Sequence, residues 1–332
     1  METNYISFPG LGIDTFEVTR HIGESFKIYW YGIIIAIGMV CAFVYAMYRA
    51  KNEKVDQDKL IDVALWTIIL GVIGARLYYV IFELDSFISR SENIWEFLKN
   101  VVNVREGGLA IYGGIICGAA GVLIAAKIKK INMFRLLDMV GPGVMIAQAI
   151  GRWGNFVNGE AYGGIVGEGH PLYFLRMGLI SDNTFYDFHT FNMVYVHPTF
   201  LYESLWNILG FVLINVLYKK KKFNGQMACT YLAWYGFGRM FIEGLRTDSL
   251  YIGNVIRVSQ LVGLLCFVIF GGLLVWGLIH SKKFSNPEAK LTKLDELLKP
   301  DIEQRPNRFY HKLFKNNTTE SVKETGDNGT NN

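Results

Sequence analysis

The stretch IYWYGIIIAIGMVCAFVYAMY, residues 28–48, carries no charged side chain. A helix needs roughly 20 mostly apolar residues to cross the hydrocarbon core of a bilayer, and this run is long enough. The whole chain has the same character, since it is 332 residues long and 51% hydrophobic, with a mean hydropathy of +0.24. Such a composition is too apolar for an ordinary soluble domain and predicts a membrane protein.

Further apolar windows follow along the chain, at 60–82, 108–127, 135–151, 198–218, 226–245 and 257–280. The window at 135–151 is interrupted by Asp138, Pro142 and Gln148, which predicts a helix that is kinked or buried inside a bundle. The expected fold class is an all-α polytopic membrane protein with about seven transmembrane helices.

Basic residues in the short junctions predict the orientation. Alternate junctions carry the basic segments YRAKNEKVDQDK, KIKKINMFR, YKKKKF and HSKKF. Basic junctions face the cytoplasm, so the segments near 83–107, 152–197 and 247–256 are expected outside. This places the N-terminus outside and the C-terminus in the cytoplasm. The first 27 residues lack the basic and apolar regions of a removable signal peptide.

The domain division expected from these patterns is a transmembrane domain over 1–282 and a tail over 283–332. The transmembrane domain includes a small external head segment at about 152–197. The tail is polar and charged, and it is expected to be disordered and cytoplasmic. The net charge of +4 is explained by the basic junctions, so no nucleic acid partner is expected.

Cysteine and histidine patterns do not indicate a metal site. The four cysteines fall in four different predicted helices and none belongs to a CxxC pair; they are Cys41, Cys117, Cys229 and Cys266. The six histidines are scattered, without HExxH spacing. We therefore expect no disulfide framework, no required metal and no cofactor.

Charged groups at membrane depth cost roughly 2.5 to 3.5 kcal/mol each, so each needs an explanation. In GRWGNFVNGEAYGG, residues 151–164, Arg152 and Asn155 are three positions apart and share a helix face. Asn158 and Glu160 follow in a glycine-rich turn. A helix end of this kind can hold an anion between a guanidinium and amide donors. The alternative is an interfacial arginine that snorkels, with asparagines closing the turn.

A second charged group lies in YGFGRMFIEGLR, residues 235–246. Tyr235, Arg239 and Glu243 are spaced four apart and Arg246 is three further on, which predicts one stripe on a helix. Two guanidiniums and one carboxylate leave this stripe positive. A lipid phosphate is the anion most available at that depth. The alternative is a purely structural pair between Arg239 and Glu243.

The remaining polar positions have plainer interpretations. In GARLYYVIFE, Arg76 and Glu83 are two turns apart, and a structural ion pair is as good an explanation as ligand contact. In REGGLAIYGGIICGAAG, Gly114 and Gly118 predict close helix packing. Tyr112 in the same segment has the position of an interfacial aromatic residue.

His197 stands directly before Pro198, at the start of the fifth apolar window. This is a helix-start pattern, so His197 is interpreted as a structural, hydrogen-bonding residue.

Together the segments WYG (30–32), GGLAIYGG (107–114), GRWGNFVNGEAYG (151–163), HPTFLYE (197–203) and YGFGRMFIEGLR (235–246) resemble one bacterial family, the phosphatidylglycerol:prolipoprotein diacylglyceryl transferases. The resemblance covers nearly all of residues 1–280. It implies a seven-helix enzyme of the bacterial plasma (inner) membrane. Such an enzyme moves the diacylglyceryl group of phosphatidylglycerol onto the lipobox cysteine of prelipoproteins and releases glycerol phosphate, the first step of lipoprotein maturation.

The resemblance also implies site residues. Catalytic roles fall to Tyr112, Arg152, Arg239 and Glu243. Substrate-binding roles fall to Tyr31, Arg152, Asn155, Glu160, Gly163, Tyr235 and Arg246. The expected partners are phosphatidylglycerol, lipobox peptides of prelipoproteins and membrane lipid.

One position departs from the family pattern. Many members have a histidine, proposed as the base, where this sequence has Tyr112. A free tyrosine ionises far above neutral pH and is a poor base unless guanidiniums lie close to it. Either arginine neighbours activate Tyr112, or the proton leaves by another route, with the arginines ionising the substrate thiol directly.

Two other classes of protein also carry polar groups within the membrane. A lipid or anion transporter also uses buried arginines, but it commonly has paired repeats with broken helices, which this sequence does not display. An intramembrane protease needs a buried nucleophile or acid pair, and neither GxSG nor GxGD occurs in the sequence.

Overall fold

The computed structural model describes residues 3–23, 27–104, 107–181, 193–247, 249–253, 255–285 and 291–300. Its α-helices are α1 (Trp30–Glu53), α2 (Gln57–Phe82), α3 (Leu84–Ser89), α4 (Ile94–Val102), α5 (Ile111–Ile128), α6 (Met133–Asn158), α7 (Thr199–Tyr218), α8 (Gln226–Ile242), α9 (Val258–His280) and α10 (Lys293–Leu298). Its strands are β1 (Thr3–Phe8), β2 (Ile13–Thr19), β3 (His21–Ile22), β4 (Ile28–Tyr29), β5 (Met177–Ile180), β6 (Val194–Val196), β7 (Tyr251–Ile252) and β8 (Ile256–Arg257).

Each of the seven apolar windows of the sequence overlaps one α-helix, in chain order α1, α2, α5, α6, α7, α8 and α9. Within the described residues, five helices are long and apolar enough to cross a membrane: α1, α2, α6, α7 and the helix that begins at Val258. The helices α5 and α8 are shorter, with α5 still strongly apolar. The fold class is confirmed as a helical, multi-pass membrane protein, and the number of seven spans stays a prediction.

Helices α2 and α5 pack through glycines. A Cβ atom on Gly113 would overlap the backbone of Gly74, and Gly114 and Gly118 lie against Gly71 and Thr67. Small residues let two helix backbones approach closely in a membrane. The close packing expected from the spacing of Gly114 and Gly118 is therefore present.

Helix α6 lies at the centre of the bundle, against α1, α7 and α8. Its carboxylate Asp138 is fully buried and accepts hydrogen bonds from the backbone amides of Gly225 and Ala228, at 2.7 and 2.9 Å. These amides belong to the first turn of α8, so Asp138 caps that helix from a neighbouring one. Lys221 Nζ, 3.0 Å from Asp138, balances the charge.

The basic junctions meet at one end of the bundle. Glu53 at the end of α1 pairs with Lys221 after α7, at 2.8 Å, and with Arg135 at the start of α6, at 3.9 Å. The helix α10 reaches the same end, where Leu297 accepts hydrogen bonds from the side chains of Asn132 and Asn224. We call this the basic end.

Part of the expected tail is folded. Thr292 forms a capping box with Asp295, whose carboxylate also contacts His280 Nε2 at 2.5 Å and Lys283 Nζ at 2.7 Å. Asp295 and Leu298 are buried. The expectation of disorder is thus wrong for residues 291–300, because these side chains find partners on the basic end. The stretches 286–290 and 301–332 lie outside the described residues.

The opposite end carries a four-stranded antiparallel sheet in the order β2-β1-β5-β6. Its buried face includes Ile6, Leu179 and Val196. The head is therefore not formed by residues 152–197 alone, because the N-terminal hairpin supplies two of its strands. The buried side chain of Asn4 donates a 2.6 Å hydrogen bond to the carbonyl of Val157, which joins the sheet to the end of α6.

Candidate functional site

Residues 151–158, the first part of the segment GRWGNFVNGEAYGG, form the last two turns of α6. They lie at the end of the bundle opposite the basic end. Arg152 Nη1 donates to Asn155 Oδ1 at 3.3 Å, as their spacing on one helix face predicts. Asn155 and Asn158 each donate from Nδ2 to Glu160 Oε1, at 3.0 and 3.3 Å. The carboxylate of Glu160 therefore fixes both amides and, through Asn155, the guanidinium of Arg152.

Gly159 makes this arrangement possible. Its φ of +62° lies in the left-handed region, and it ends α6. A Cβ atom there would lie 2.6 Å from Ser181 Oγ and 3.0 Å from Asn4 Cγ. Only glycine fits the turn that returns Glu160 towards α6.

The acidic centre of the site is Glu203 on α7, which is 3% exposed. Arg152 Nη2 lies 2.5 Å from Glu203 Oε2, and Arg239 Nη1 lies 2.8 Å from Glu203 Oε1. Arg246 Nη1 is 3.7 Å from the same Oε1. Glu203 thus joins arginines from three segments of the chain. Glu203 lies in the segment HPTFLYE (197–203) and is a carboxylate in an apolar window, but no spacing in the sequence links it to the arginines.

A second carboxylate, Glu243, completes the group. Its Oε2 lies 2.5 Å from Arg239 Nη2, so Arg239 contacts two buried carboxylates at once. We call Arg152, Arg239 and Arg246 together with Glu203 and Glu243 the arginine cluster. Their relative exposures range from 2% for the Glu243 side chain to 19% for that of Arg152, so the cluster is largely shielded from water.

The helical stripe expected for residues 235–246 is broken before Arg246. Helix α8 ends at Ile242, a 3₁₀ turn spans Glu243–Leu245, and Arg246 has extended backbone. The carbonyl groups of this turn accept hydrogen bonds from residues outside α8. Arg257 Nη1 donates to the carbonyl of Glu243, and the amide of Gly164 donates to that of Leu245 at 2.8 Å. Arg246 still reaches Glu203, from a strand-like position.

Gly163 has a packing role in this arrangement. It forms a bridge with Arg246, and its amide donates to the carbonyl of His197 at 2.9 Å. A Cβ atom at this position would lie 2.6 Å from His197 Cβ and 3.0 Å from the carbonyl oxygen of Leu245. The close approach of three segments therefore requires glycine.

Tyr31 and Tyr235 lie on the helices that flank the site. The Tyr31 ring packs on Gly154, where a Cβ atom would be 2.8 Å from the ring, and Glu160 and Arg152 both act electrostatically on its hydroxyl. Tyr235 lies one turn before Arg239 on α8 and contacts the ring of Tyr231, with centroids 6.2 Å apart.

The structure does not bring Tyr112 into the arginine cluster as the described residues define it. Its side chain is 59% exposed at the start of α5, and its ring lies 6.4 Å from that of Tyr78 on α2. The principal neighbour of α5 is α2, whereas the cluster belongs to α6, α7 and the segment from α8 to Arg246. The expected guanidinium neighbours of Tyr112 are not among its described contacts.

Arg76 neither pairs with Glu83 nor points to the cluster. Its guanidinium donates to five backbone carbonyls at 2.7 to 2.9 Å, those of Asn100, Val101, Asn103, Gly107 and Gly108. The first three lie at the C-terminus of α4, where carbonyls lack helical partners and carry partial negative charge. Arg76 therefore fixes the segment that leads into α5.

His197 has the structural role expected for it. It is 6% exposed, and its Nδ1 lies 3.2 Å from the hydroxyl of Tyr202. Burial, and to a smaller extent the neighbouring His170, lowers the pKa of His197. Its imidazole is therefore neutral at neutral pH and suited to hydrogen bonding.

An apolar groove of about 390 Å³ lies beside the cluster, between α1, α6 and α7. Trp153 and Ser204, the sequence neighbours of Arg152 and Glu203, line it together with Ile34, Ile37, Met145 and Phe211. Charged cluster and apolar groove are thus adjacent, an arrangement that suits an amphiphilic ligand.

Comparison with known proteins identifies the family of the chain. A family model described as prolipoprotein diacylglyceryl transferase matches residues 17–276. A protein of Listeria welshimeri named phosphatidylglycerol–prolipoprotein diacylglyceryl transferase is 41% identical over 277 residues, which are 80% of this chain and 92% of the relative. Proteins of the same name from Listeria innocua and Clostridium kluyveri are 40% and 42% identical, covering 86% and 74% of this chain and 98% and 90% of their own.

Proposed function

Because the chain belongs to the prolipoprotein diacylglyceryl transferase family, we propose that its arginine cluster holds the phosphate of phosphatidylglycerol during transfer of the diacylglyceryl group to a prolipoprotein. The protein is a transferase of lipoprotein maturation. The finer proposal is that the acceptor is the lipobox cysteine thiol and that glycerol phosphate is released. The observation that carries it is the convergence of Arg152, Arg239 and Arg246 on Glu203, next to an apolar groove.

The reaction is a substitution at carbon. The thiol sulfur attacks the glyceryl carbon that bears the phosphate, a carbon–sulfur bond forms, and the carbon–oxygen bond to phosphate breaks. The phosphate leaves with the bonding electron pair, and the thiol proton passes to solvent or to the released phosphate. Negative charge therefore grows on the phosphate, where preorganised guanidiniums stabilise it in the transition state.

The same arginines lower the pKa of a thiol that comes close to them, because the thiolate is the nucleophile and cationic surroundings favour it. Glu160, with Asn155 and Asn158, is proposed to orient Arg152, and Glu243 to orient Arg239. Tyr31, Tyr235 and Gly163 are proposed as substrate-binding positions, Gly163 by holding Arg246 in place. The apolar groove next to Trp153 is proposed to receive an acyl chain.

The test is mass spectrometry of a lipobox peptide incubated with the purified protein and phosphatidylglycerol. We expect the peptide to gain one diacylglyceryl unit and glycerol phosphate to appear in equal amount. A peptide whose cysteine is replaced by serine is the control and should stay unmodified. Release of glycerol phosphate without a gain of mass on the cysteine peptide would contradict the proposal that the cysteine thiol is the acceptor.

We further propose that the basic end faces the cytoplasm of the bacterial inner membrane, with the N-terminus outside. The domain division at residue 282 also remains a proposal, although α10 docks back on the basic end. Reporters fused near 55, 131, 221 and 285 are expected to read cytoplasmic, and those near 95, 175 and 250 external, because the basic junctions stay in the cytoplasm. An external signal at 221 would contradict this orientation.

The two proton routes make different predictions for Tyr112. Because the described contact of its ring is with Tyr78 and not with a guanidinium, the geometry favours direct ionisation of the thiol by the arginines. We therefore expect Tyr112→Phe to keep transfer within about tenfold of the unaltered protein from pH 6 to 9. A loss of roughly 100-fold or more, typical of a deleted acid or base, would instead assign proton transfer to the hydroxyl.

A further inference from the structure

The apolar groove between α1, α6 and α7 begins beside the arginine cluster and runs towards the basic end. Its α6 wall extends from Trp153, which follows Arg152, back to Met145. Its α7 wall extends from Ser204 to Phe211. With a rise of about 1.5 Å per residue, the α6 wall is about 12 Å long. Half of the hydrocarbon core of a bilayer is about 15 Å thick, so the groove is shorter than one leaflet.

The inner end of the groove is closed where α1 meets α7. The ring of Phe211 on α7 contacts that of Tyr45 on α1, with centroids 5.2 Å apart. The Tyr45 hydroxyl donates to Asn215 Oδ1 at 3.0 Å, and Arg49 donates to both of these side chains. A straight hydrocarbon chain would therefore meet two packed rings and, beyond them, polar groups bonded to one another. We call Tyr45 and Phe211 the groove stop.

The groove is open towards lipid and closed towards the bundle. Ile37 on α1 and Ile208 on α7 both line it and are 50% and 48% exposed. On the α6 side Met145 is fully buried, and a Cβ atom on Gly38 of α1 would lie 3.2 Å from the carbonyl oxygen of Ala147. A chain that reaches the groove stop therefore leaves sideways, into the bilayer.

We propose that Tyr45 and Phe211 select the acyl chain of the lipid substrate, because they require a bend at about its tenth carbon atom. This deepens the proposed function and rests on it, since the occupant is an acyl chain of the lipid whose phosphate the arginine cluster holds. Carbon–carbon bonds of about 1.5 Å in a zigzag chain advance about 1.25 Å each, so the groove takes about ten carbons. A cis double bond between carbons 9 and 10 supplies a bend at this depth.

Discrimination here comes from packing, because lipid tails are as apolar as the walls of the groove. A trans double bond at carbons 9 and 10 keeps the chain straight, so the next carbons press on the groove stop, and such overpacking is unfavourable. A cis double bond at carbons 6 and 7 bends the chain too early. The inner part of the groove, at Met145 and Phe211, then loses its contacts with the chain.

The experiment compares three phosphatidylglycerols of equal mass, with oleoyl (cis-9), elaidoyl (trans-9) or petroselinoyl (cis-6) chains. Each is mixed in equal amount with deuterium-labelled oleoyl lipid in phosphatidylcholine nanodiscs that contain the full-length protein, and a lipobox peptide is added. The ratio of the two lipidated peptides gives the relative kcat/KM and does not depend on how much protein is active. Native mass spectrometry gives the ratio of the two bound lipids without any transfer.

For the unaltered protein we expect the trans-9 lipid to be used and bound at least about fivefold less well than the cis-9 lipid. The cis-6 lipid should also fall below the cis-9 lipid. Phe211→Ala removes one ring of the groove stop, so the trans-9 lipid should rise to the level of the cis-9 lipid. Phe267→Ala is the matched control, because Phe267 contacts Phe237 with centroids also 5.2 Å apart but does not line the groove. It should keep the preference of the unaltered protein.

The proposal is overturned if the unaltered protein uses or binds either isomer as well as the cis-9 lipid, or if Phe211→Ala still discriminates against the trans-9 lipid. The first comparison needs no variant, so it decides the matter even where Phe211→Ala does not fold. If no peptide is lipidated while the bound lipids show the preference, the proposed function is wrong and the groove stop stands. If lipidation occurs without the preference, only the groove stop is wrong.

Discussion

Replacing Arg239 with alanine is expected to lower diacylglyceryl transfer by at least about a thousandfold, the range seen when an arginine that stabilises a departing phosphate is removed. Arg239 contacts both Glu203 and Glu243, so its loss removes the guanidinium that lies between the two buried carboxylates of the arginine cluster. Arg152→Ala is expected to act in the same way, because Arg152 holds the other oxygen of Glu203. Lysine at either position should restore activity only in part, since it lacks the planar fork of donors.

The measurement is peptide lipidation by purified protein in nanodiscs, with folding checked by circular dichroism and gel filtration. Arg135→Ala is the matched control, because Arg135 is also ion-paired to a shielded carboxylate, Glu53, but lies at the basic end. It should retain transfer. Normal turnover by folded Arg239→Ala protein would contradict phosphate binding by the cluster.

Replacing Arg76 with lysine is expected to destabilise the protein by at least about 3 kcal/mol, although the charge is kept. A lysine has a single nitrogen and cannot reach the five carbonyls that the guanidinium satisfies. The carbonyls at the end of α4 would lose their partner, and the segment before α5 would lose its anchor. The expected result is a lower midpoint of thermal unfolding and faster proteolysis between α4 and α5.

Arg90→Lys provides the control for this change. Arg90 lines the same small cavity as Arg76 but is exposed on the surface of the head end. Its replacement should leave the unfolding midpoint within about 1 °C, because exposed charges contribute little. An Arg76→Lys variant as stable as the unaltered protein would show that water replaces the guanidinium at these carbonyls.

The sequence predicted the helices well because the membrane imposes a length and a composition on each of them. Apolar windows and basic junctions are local patterns, and α1, α2, α6, α7 and α9 follow them closely. The end of α8 could not be predicted in this way. It depends on Arg257 and Gly164, which belong to other parts of the chain and donate hydrogen bonds to the carbonyls of Glu243 and Leu245.

Some contacts within the candidate site follow from local spacing in the same way, whereas the roles of its residues stay predictions. Arg152 and Asn155 are three positions apart and Arg239 and Glu243 are four apart, so their spacing in the sequence indicates contact. Glu203 is the residue that joins the two groups, and its partners are distant in sequence. A charged group at membrane depth is costly and so indicates a functional or paired residue. Applied to the apolar window 198–218, this argument selects Glu203. The contribution of β1 and β2 to the head has no comparable local signal.

The docking of α10 has a consequence for the order of biosynthesis. The helix contacts the junctions at Asn132, Asn224 and His280, which leave the ribosome at widely separated times. Residues 291–300 are translated after all of them, so their contacts form only when every preceding span has emerged. A docked α10 therefore requires that the helices next to Asn132, Asn224 and His280 have all been synthesised and brought together.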